Sequence, residues 1–440
     1  MKTTAAFFLT IAIGYSLPAR GGENWPQWRG ADGLGHAAAT DLPQKWSEAD
    51  NVTWKTHIPG RGWSSPVIEN GRIWLTTAVD KAASAEDKKQ RLKANTGSQP
   101  LVVSELVSLR AVCVDLRSGK VLHDVEVLAE KDPQWIHALN SYASPTPVIE
   151  DDKLYCHFGA YGTGCLDTKS LKVLWTNRDQ RIMHENGPGS SPILWGDHLI
   201  FHCDGSDKQY IAALNKNTGK TAWNTRRSGK MNANPQLQKS YATPLVTTID
   251  GRPHVLSPAA DWLYSYDPKT GKELWKIAYG RLGFSNVPRP VLGNGMIYLS
   301  TGYMKAEMLA IKLTSRGGSI DPQIAWRFGK QVPTISSPVL VGNHLYFVSD
   351  KGIATCLDAT TGGLLWAERL GGNFAASPMF ADGKLFFPSR TGDTVVIKPG
   401  AEFQLMATNT LESGFMASPA AIDGALILRS EKAIYRIGTN

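Results

Sequence analysis

Five connections hold most of the side chains in this sequence that could do chemistry: "HALNSYASP" (137–145), "IMHENGPGSSP" (182–192), "SGKMNANPQLQKSYATP" (228–244), "SPAADWLY" (257–264) and "RLGFSNVPRP" (281–290). They carry Asn140, His184, Glu185, Asn186, Asn232, Asn234, Asp261, Trp262 and Arg289. Oxygen-rich groups such as Glu185, Asn186 and the loop amides suit a hard cation like Ca²⁺. The run His184-Glu185-Asn186 is nevertheless one short triplet whose spacing closes no site, so no tightly held metal is expected. An indole at a loop tip, as at Trp262, is a stacking platform for a flat or sugar-like ligand. The plainer alternative is that the amides and carboxylates bond loop backbone, as turn-forming Asn and Asp do, and that Trp262 packs against its neighbours. The serines of the repeated "SSP" lack a G-x-S-x-G context and recur with the repeat, so they are not read as nucleophiles.

What these residues can do depends on the elements that gather them. Five stretches share one pattern: "VCVDLRSGKVLH" (112–123), "GCLDTKSLKVLW" (164–175), "AALNKNTGKTAW" (212–223), "YSYDPKTGKELW" (264–275) and "TCLDATTGGLLW" (355–366). Each runs from small or apolar residues through Asp or Asn to a turn and an apolar run closing on Trp. One copy has His123 for Trp, and one has Leu171 for Gly. A second signature precedes them: a Pro anchor, an apolar run, a turn and an alternating strand. It recurs eight times, on Pro66, Pro145, Pro192, Pro244, Pro290, Pro338, Pro378 and Pro419.

Asn70-Gly71, Asp250-Gly251, Asp382-Gly383 and Asp423-Gly424 favour the positive φ of two-residue hairpins. Each unit therefore reads as four antiparallel strands, A to D, and a repeat of about 45 residues with four strands is a β-propeller blade. The last unit stops after strand C, while "NVTWKTHIPG" (51–60) looks like a strand D without a blade. The expected fold is all-β: an eight-bladed propeller of four-stranded antiparallel blades, with the Trp54 strand completing the last blade and removing an open edge. Alternating strand direction puts the terse A–B and C–D turns on one face. The D–A and B–C connections, including an insertion at 80–109 in the first blade, lie on the other, so the candidate residues converge at the funnel mouth of that face. Loops on a rigid scaffold are where function usually sits.

The start of the chain, with Lys2, "AAFFLTIAIGY" (5–15) and Ala19-Arg20-Gly21, reads as a signal peptide over 1–21. A leader segment would follow over 22–45 and a single propeller over 46–440. The first Cys is Cys113, so no lipid anchor is expected, and the implied location is periplasmic or extracellular. The net charge of +8 has no clustered basic stripe beyond "DKKQRLK" (87–93), which argues against a nucleic-acid partner. No later stretch is long and apolar enough to embed in a membrane. Cys156 and Cys165 would face each other if their hairpin turned between Ala160 and Tyr161, giving a disulfide in an oxidising compartment. Two buried free thiols are the alternative.

The "LDATTGGLLW" and "YDPKTGKELW" copies resemble the tryptophan-docking motif of PQQ-like (quinoprotein-type) propeller repeats, over about residues 46–440. The resemblance implies eight blades, with Trp54, Trp175, Trp223, Trp275, Trp326 and Trp366 as structural docking residues. "ENWPQWRGADGLG" (23–35) is similar to an exported leader preceding such propellers. Two functional classes follow from it. One comprises dehydrogenases of alcohols or sugars that hold pyrroloquinoline quinone (PQQ) and Ca²⁺ in the funnel. The other comprises binding scaffolds without a cofactor, such as the propeller subunit of the outer-membrane β-barrel assembly machinery. Adjacent cysteines mark the alcohol-type enzymes, and this chain has none. The expectation is a monomeric, non-catalytic scaffold with no cofactor, binding a protein or a small polar or sugar-like ligand. The alternative is a PQQ- and calcium-dependent dehydrogenase.

Overall fold

The computed structural model describes residues 23–438, except 94, 96, 281, 282, 317, 318 and the side chain of 316. The segment 1–21 lies outside the described residues. Eight four-stranded antiparallel sheets follow one another along the chain as blades. Blade 1 shows the pattern, with strands Val67–Glu69, Arg72–Ala82, Ser104–Asp115 and Val121–Lys131. The second and third strands of the blades are buried in continuous runs, as in His198–Asp204 and Gln209–Asn215, whereas outer strands such as Thr221–Arg226 alternate between part-buried and exposed; neighbouring sheets thus cover both faces of a blade that cannot do so alone.

Closure is as expected. Blade 8 has strands Ala420–Ile422, Ala425–Arg429 and Ala433–Gly438, and its fourth strand is Val52–His57 from the start of the chain. Its register sets Lys55 against Tyr435 and His57 against Ala433.

A ring of hydrogen bonds binds the inner strands. The residue before each anchor proline accepts, through its hydroxyl, the backbone N–H of its counterpart in the preceding blade. The links run Ser65 to Thr146, Thr146 to Ser191, Ser191 to Thr243, Arg289 to Ser337, Ser337 to Ser377, Ser377 to Ser418 and Ser418 back to Ser65, all at 2.9–3.0 Å. Two things follow. The second blade is anchored at Thr146-Pro147, not at Pro145: both prolines fit the pattern, but only Pro147 directly precedes a strand A, Val148–Glu150. And one blade breaks the ring, because Arg289 has no acceptor to offer Thr243.

The leader is part of the propeller rather than a preface to it. It enters from the turn face, where Asn24 accepts from the Asn70 N–H and Trp25 bridges Ile68. It reaches the ring at Trp28, whose indole N–H meets Ser418 Oγ at 3.3 Å. It then returns along blade 7, pairing His36 with Phe380 and Ala37 with Ala381 as a fifth, parallel strand. Thr40 ties it to the Asp423-Gly424 turn. Trp25, Leu42 and Trp46 are buried in one cluster with blades 1, 7 and 8. The 80–109 insertion extends the B–C hairpin of blade 1 and carries a short helix, Ala85–Arg91. Arg91 fastens it to Ser104 O and Pro133 O, and Leu101–Val102 pairs with Ile136–His137.

The docking tryptophans explain the turn glycines. Trp54, Trp175, Trp223, Trp326 and Trp366 each donate their indole N–H to a C–D turn carbonyl of the next blade: Leu116, Lys216, Pro268, Ala359 and Gly400. A Cβ at Gly119, Gly219, Gly271 or Gly362 would lie 2.5–2.6 Å from the docked indole. Trp275 is the exception. It is buried, but the next blade has a long C–D hairpin there, Met308–Arg316 with Ser319–Phe328, and the Trp275 N–H has no partner. The two motif departures now explain each other. His123 stands where the others have Trp, and the turn it faces has Leu171 at φ 59° in place of Gly. A smaller ring leaves room for a Cβ. His123→Trp alone should therefore overpack this joint and cost about 1–3 kcal/mol, and adding Leu171→Gly should recover most of it. Urea unfolding of the two single variants and the double variant checks this; additive effects would refute the coupling.

The cysteine expectation needs correction. The hairpin turns through a 3₁₀ segment, Gly159–Tyr161, and is centred on Ala160. Cys156 therefore pairs with Gly164 and Cys165 with Tyr155. A one-residue change of register sends the two thiols to opposite sides of the sheet. All five cysteines are buried and free, and burial pushes the thiols of Cys113, Cys165 and Cys356 up to about 12.

Candidate functional site

The loop-rich face is built on the ends of strands B and D in blades 2 to 5, and the long connections fold back onto these ends. His184 is the centre of the blade 2–3 connection. It is 1% exposed, its backbone N–H donates to Gln134 Oε1, and its carbonyl accepts from Tyr241 Oη at 2.7 Å. Tyr161 Oη donates to Gln134 O, so the 3.0 Å contact to His184 Nε2 places the ring proton on Nε2 and a lone pair on Nδ1. Nδ1 has no partner, and burial holds this imidazole at about 3. It borders a cavity of about 20 Å³, which it shares with His157, His202, Ser190 and Tyr241. That is room for one water molecule.

Glu185 adopts φ 57° and turns away from His184. Its carboxylate accepts from Lys239 Nζ at 2.7 Å, from Gln236 Nε2 at 2.5 Å and from Ser206 Oγ at 3.4 Å. Asn140 donates to the carbonyls of Asn186 and Pro188 and accepts from Ser141 and Ser144. Asn186 donates to Tyr241 Oη. These four sequence-selected residues are thus gathered, as clamps between loops.

The other five are not. Asn232 and Asn234 are exposed and shape their own loop, Asn234 capping a 3₁₀ turn at Pro235–Leu237. Asp261 sits at a turn, φ 63°, its N–H on Gly283 O, and burial raises its carboxyl pKa. Trp262 is no open platform: its N–H donates to Lys230 O, Gly229 lies against the indole, and Lys276 Nζ is 5.8 Å from the ring centre. Arg289 is not at the mouth. It is 1% exposed and donates to the carbonyls of Trp28 and Gly33 in the leader.

Between blades 3 and 4 lies a network that no motif announced. Asp204 and Arg227 form a two-bond ion pair at 2.7 and 2.9 Å with both side chains fully buried. Arg227 also donates to Ser257 Oγ and Tyr266 Oη, and Ser257 meets His202 Nε2 at 2.8 Å. Burial raises the Asp204 carboxyl pKa against the pull of Arg227, and holds His202 well below the usual imidazole range. Removing one partner of such a pair is costly, so its role is to lock the two blades beneath the loops. A second cavity, about 60 Å³, lies between Arg61, Asp80, Val102 and Tyr142. Leu139, Met183, Tyr303 and Met304 stay exposed in these connections, Met304 at 77%.

A family model described as outer membrane protein assembly factor BamB matches residues 44–225, 207–316 and 259–402. The quinoprotein ethanol dehydrogenase of Pseudomonas putida is 26% identical over 198 residues, 42% of this chain and 29% of the dehydrogenase. The chain therefore spans less than a third of that relative's length. The outer membrane protein assembly factor BamB of Moranella endobia is 21% identical over 305 residues, 68% of this chain and 70% of that protein. Among solved structures, BamB from Moraxella catarrhalis has a TM-score of 0.52 at 13% identity, over 82% of this chain and 98% of that one. A europium-containing methanol dehydrogenase has a TM-score of 0.52 at 10% identity, over 93% and 90%. These structural likenesses are of fold.

Proposed function

The chain belongs to the PQQ-like propeller family of the outer membrane protein assembly factor BamB, and from this we propose that it is an exported, non-catalytic scaffold that binds a protein partner through its loop-rich face. The observation that carries the reading is that this face is a surface rather than a pocket. Most of its polar groups are spent on one another, the two cavities described above are about 20 and 60 Å³, and its apolar tips are left exposed. Small-molecule sites are roughly 300 Å³ or more. The partner class is a component of outer membrane protein assembly, and the location is periplasmic. Among the described residues no helix is long and apolar enough to cross a membrane.

The dehydrogenase reading requires PQQ and calcium, and the residues on this face do not fit them. Glu185 is held by Lys239 and Gln236, and Asp204 by Arg227. Titrating the purified protein with PQQ and Ca²⁺ tests this. No saturable quinone absorbance and no dye-linked oxidation of alcohols or sugars is expected. One quinone per chain with turnover would overturn the reading.

A further inference from the structure

Two fully buried guanidiniums meet at the axis of the ring with too little negative charge to match them. Arg289 occupies the one ring position that is not Ser or Thr, and its side chain runs into the leader hairpin, with Nη1 on Trp28 O and Gly33 O. Arg29 comes from the leader itself, and its Nη2 donates to Leu34 O and Pro338 O, both at 2.6 Å. Gly33 and Gly35 are needed for this approach: a Cβ on Gly33 would lie 2.3 Å from Arg289 Nη1, and one on Gly35 would lie 2.5 Å from Arg29 Nη2. The two arginines are 2% and 1% exposed, Arg29 and Arg289 respectively. The fold has therefore shaped itself around both cations.

Neither is satisfied. Nε and Nη1 of Arg29 and Nε of Arg289 are buried without a partner. Every hydrogen bond the two side chains make goes to a carbonyl, and the Trp28 ring lies 6.0 Å from the Arg289 guanidinium. The one carboxylate that reaches both electrostatically is Asp32, which is 40% exposed and lies 3.5 Å from His36. Burial, and for Arg289 the neighbouring Arg29 charge, lowers both groups to about 9. Arg227 in the same molecule has a carboxylate in two hydrogen bonds, and the buried Arg429 has three acceptors on Nη1, Ser64 O, Ser64 Oγ and Thr76 O, with no nitrogen of its side chain left buried without a partner. A buried charge without such a partner is strongly unfavourable. Water could fill the free N–H groups but would not offset the charge.

We propose that the propeller axis holds a small inorganic anion, a halide or an oxyanion, between Arg29 and Arg289. It locks the leader hairpin into the channel at the one place where the hydroxyl ring is broken. The anion accepts from Arg29 Nε and Nη1 and Arg289 Nε, and it is structural.

Bromide is the probe. Crystals of the full mature chain grown in sodium bromide should show an anomalous peak at hydrogen-bond distance from Arg29 Nη1 and Arg289 Nε. In solution, chloride or bromide should raise the melting temperature by about 3 °C over gluconate at equal ionic strength, once the halide is at a hundredfold its Kd. Arg289→Met should abolish that anion dependence; should the variant not fold, the bromide peak in the unmodified protein decides. A site filled by water in bromide-grown crystals, or melting that is the same in halide and gluconate, would overturn the proposal.

Discussion

Deleting residues 51–57 should leave no stable monomer. The segment supplies the outer strand of blade 8, and without it the Ala433–Gly438 edge is open to other chains. Trp54 would also be lost from its seat over Gly119, with its bond to Leu116 O, as would the Thr56 bond to Gly119 O and the Thr53 bond to Gly438 O. Losing a docked tryptophan costs about 3–5 kcal/mol, and each backbone or side-chain hydrogen bond about 1 kcal/mol more. The sum is comparable with the whole stability of a typical domain, roughly 5–15 kcal/mol. Light scattering after size exclusion should show oligomers or aggregate. A monomer that melts with the full-length protein would show that closure does not depend on this strand.

The second large effect is acid sensitivity. His157, His184 and His202 are buried, and burial holds the first two at about 3 and the third well below the usual range. Arg227 and Arg289 push His202 further the same way. The unfolded chain binds one proton per imidazole below about pH 6.5, whereas the folded His157 and His184 do not until near pH 3 and His202 stays neutral well below the usual imidazole range. Stability is therefore intact above about pH 6.5 and falls as pH drops through that value. Each histidine contributes about 1.4 kcal/mol per pH unit, so the three together give about 4. Asp115, Asp167 and Asp358, held low by hydroxyl and N–H donors in the C–D turns, add to the loss only below about pH 4. Urea midpoints should be level between pH 7.5 and 6.5 and then fall steeply to pH 4.5. His184→Gln should remove one proton from the slope. A midpoint unchanged at pH 5 would mean that these rings titrate normally.

Much of the scaffold was legible because repetition is a strong signal. The Asp-x-x-Thr-Gly turns, the Asn-Gly and Asp-Gly hairpins and the orphan strand at Trp54 each point to one blade position. What failed did so for local reasons. In "SPTP" (144–147) two prolines are two residues apart, and only the fold distinguishes them, through the ring bonds of Thr146 to Ser65 and Ser191 and the strand that follows Pro147. The Cys156 register depended on whether a hairpin turns on one residue or between two, which Gly159 and Gly162 leave open. The site was less legible still. Asn140, His184, Glu185 and Asn186 were found, but their partners Gln134, Tyr161, Lys239 and Tyr241 come from other connections, and pairing between loops leaves no period in the chain. Arg289 belongs to the ring and the leader, not to the mouth that its loop suggests. The clue was present, since "PRP" is the one anchor without Ser or Thr before its proline. Only the depth of the leader shows what that arginine meets.

On the function proposed above, the loop-rich face binds a protein involved in outer membrane protein assembly. A photo-crosslinking residue at Leu139, Met183 or Tyr303 samples that face, and one at Asn70 or Asp382 samples the turn face. Crosslinking in living cells, with the product identified by mass spectrometry, should give one common partner from all three loop positions, a component of that assembly process, and none from the two turn positions. Crosslinks to that partner from Asn70 and Asp382, with the loop positions silent, would place binding on the turn face instead.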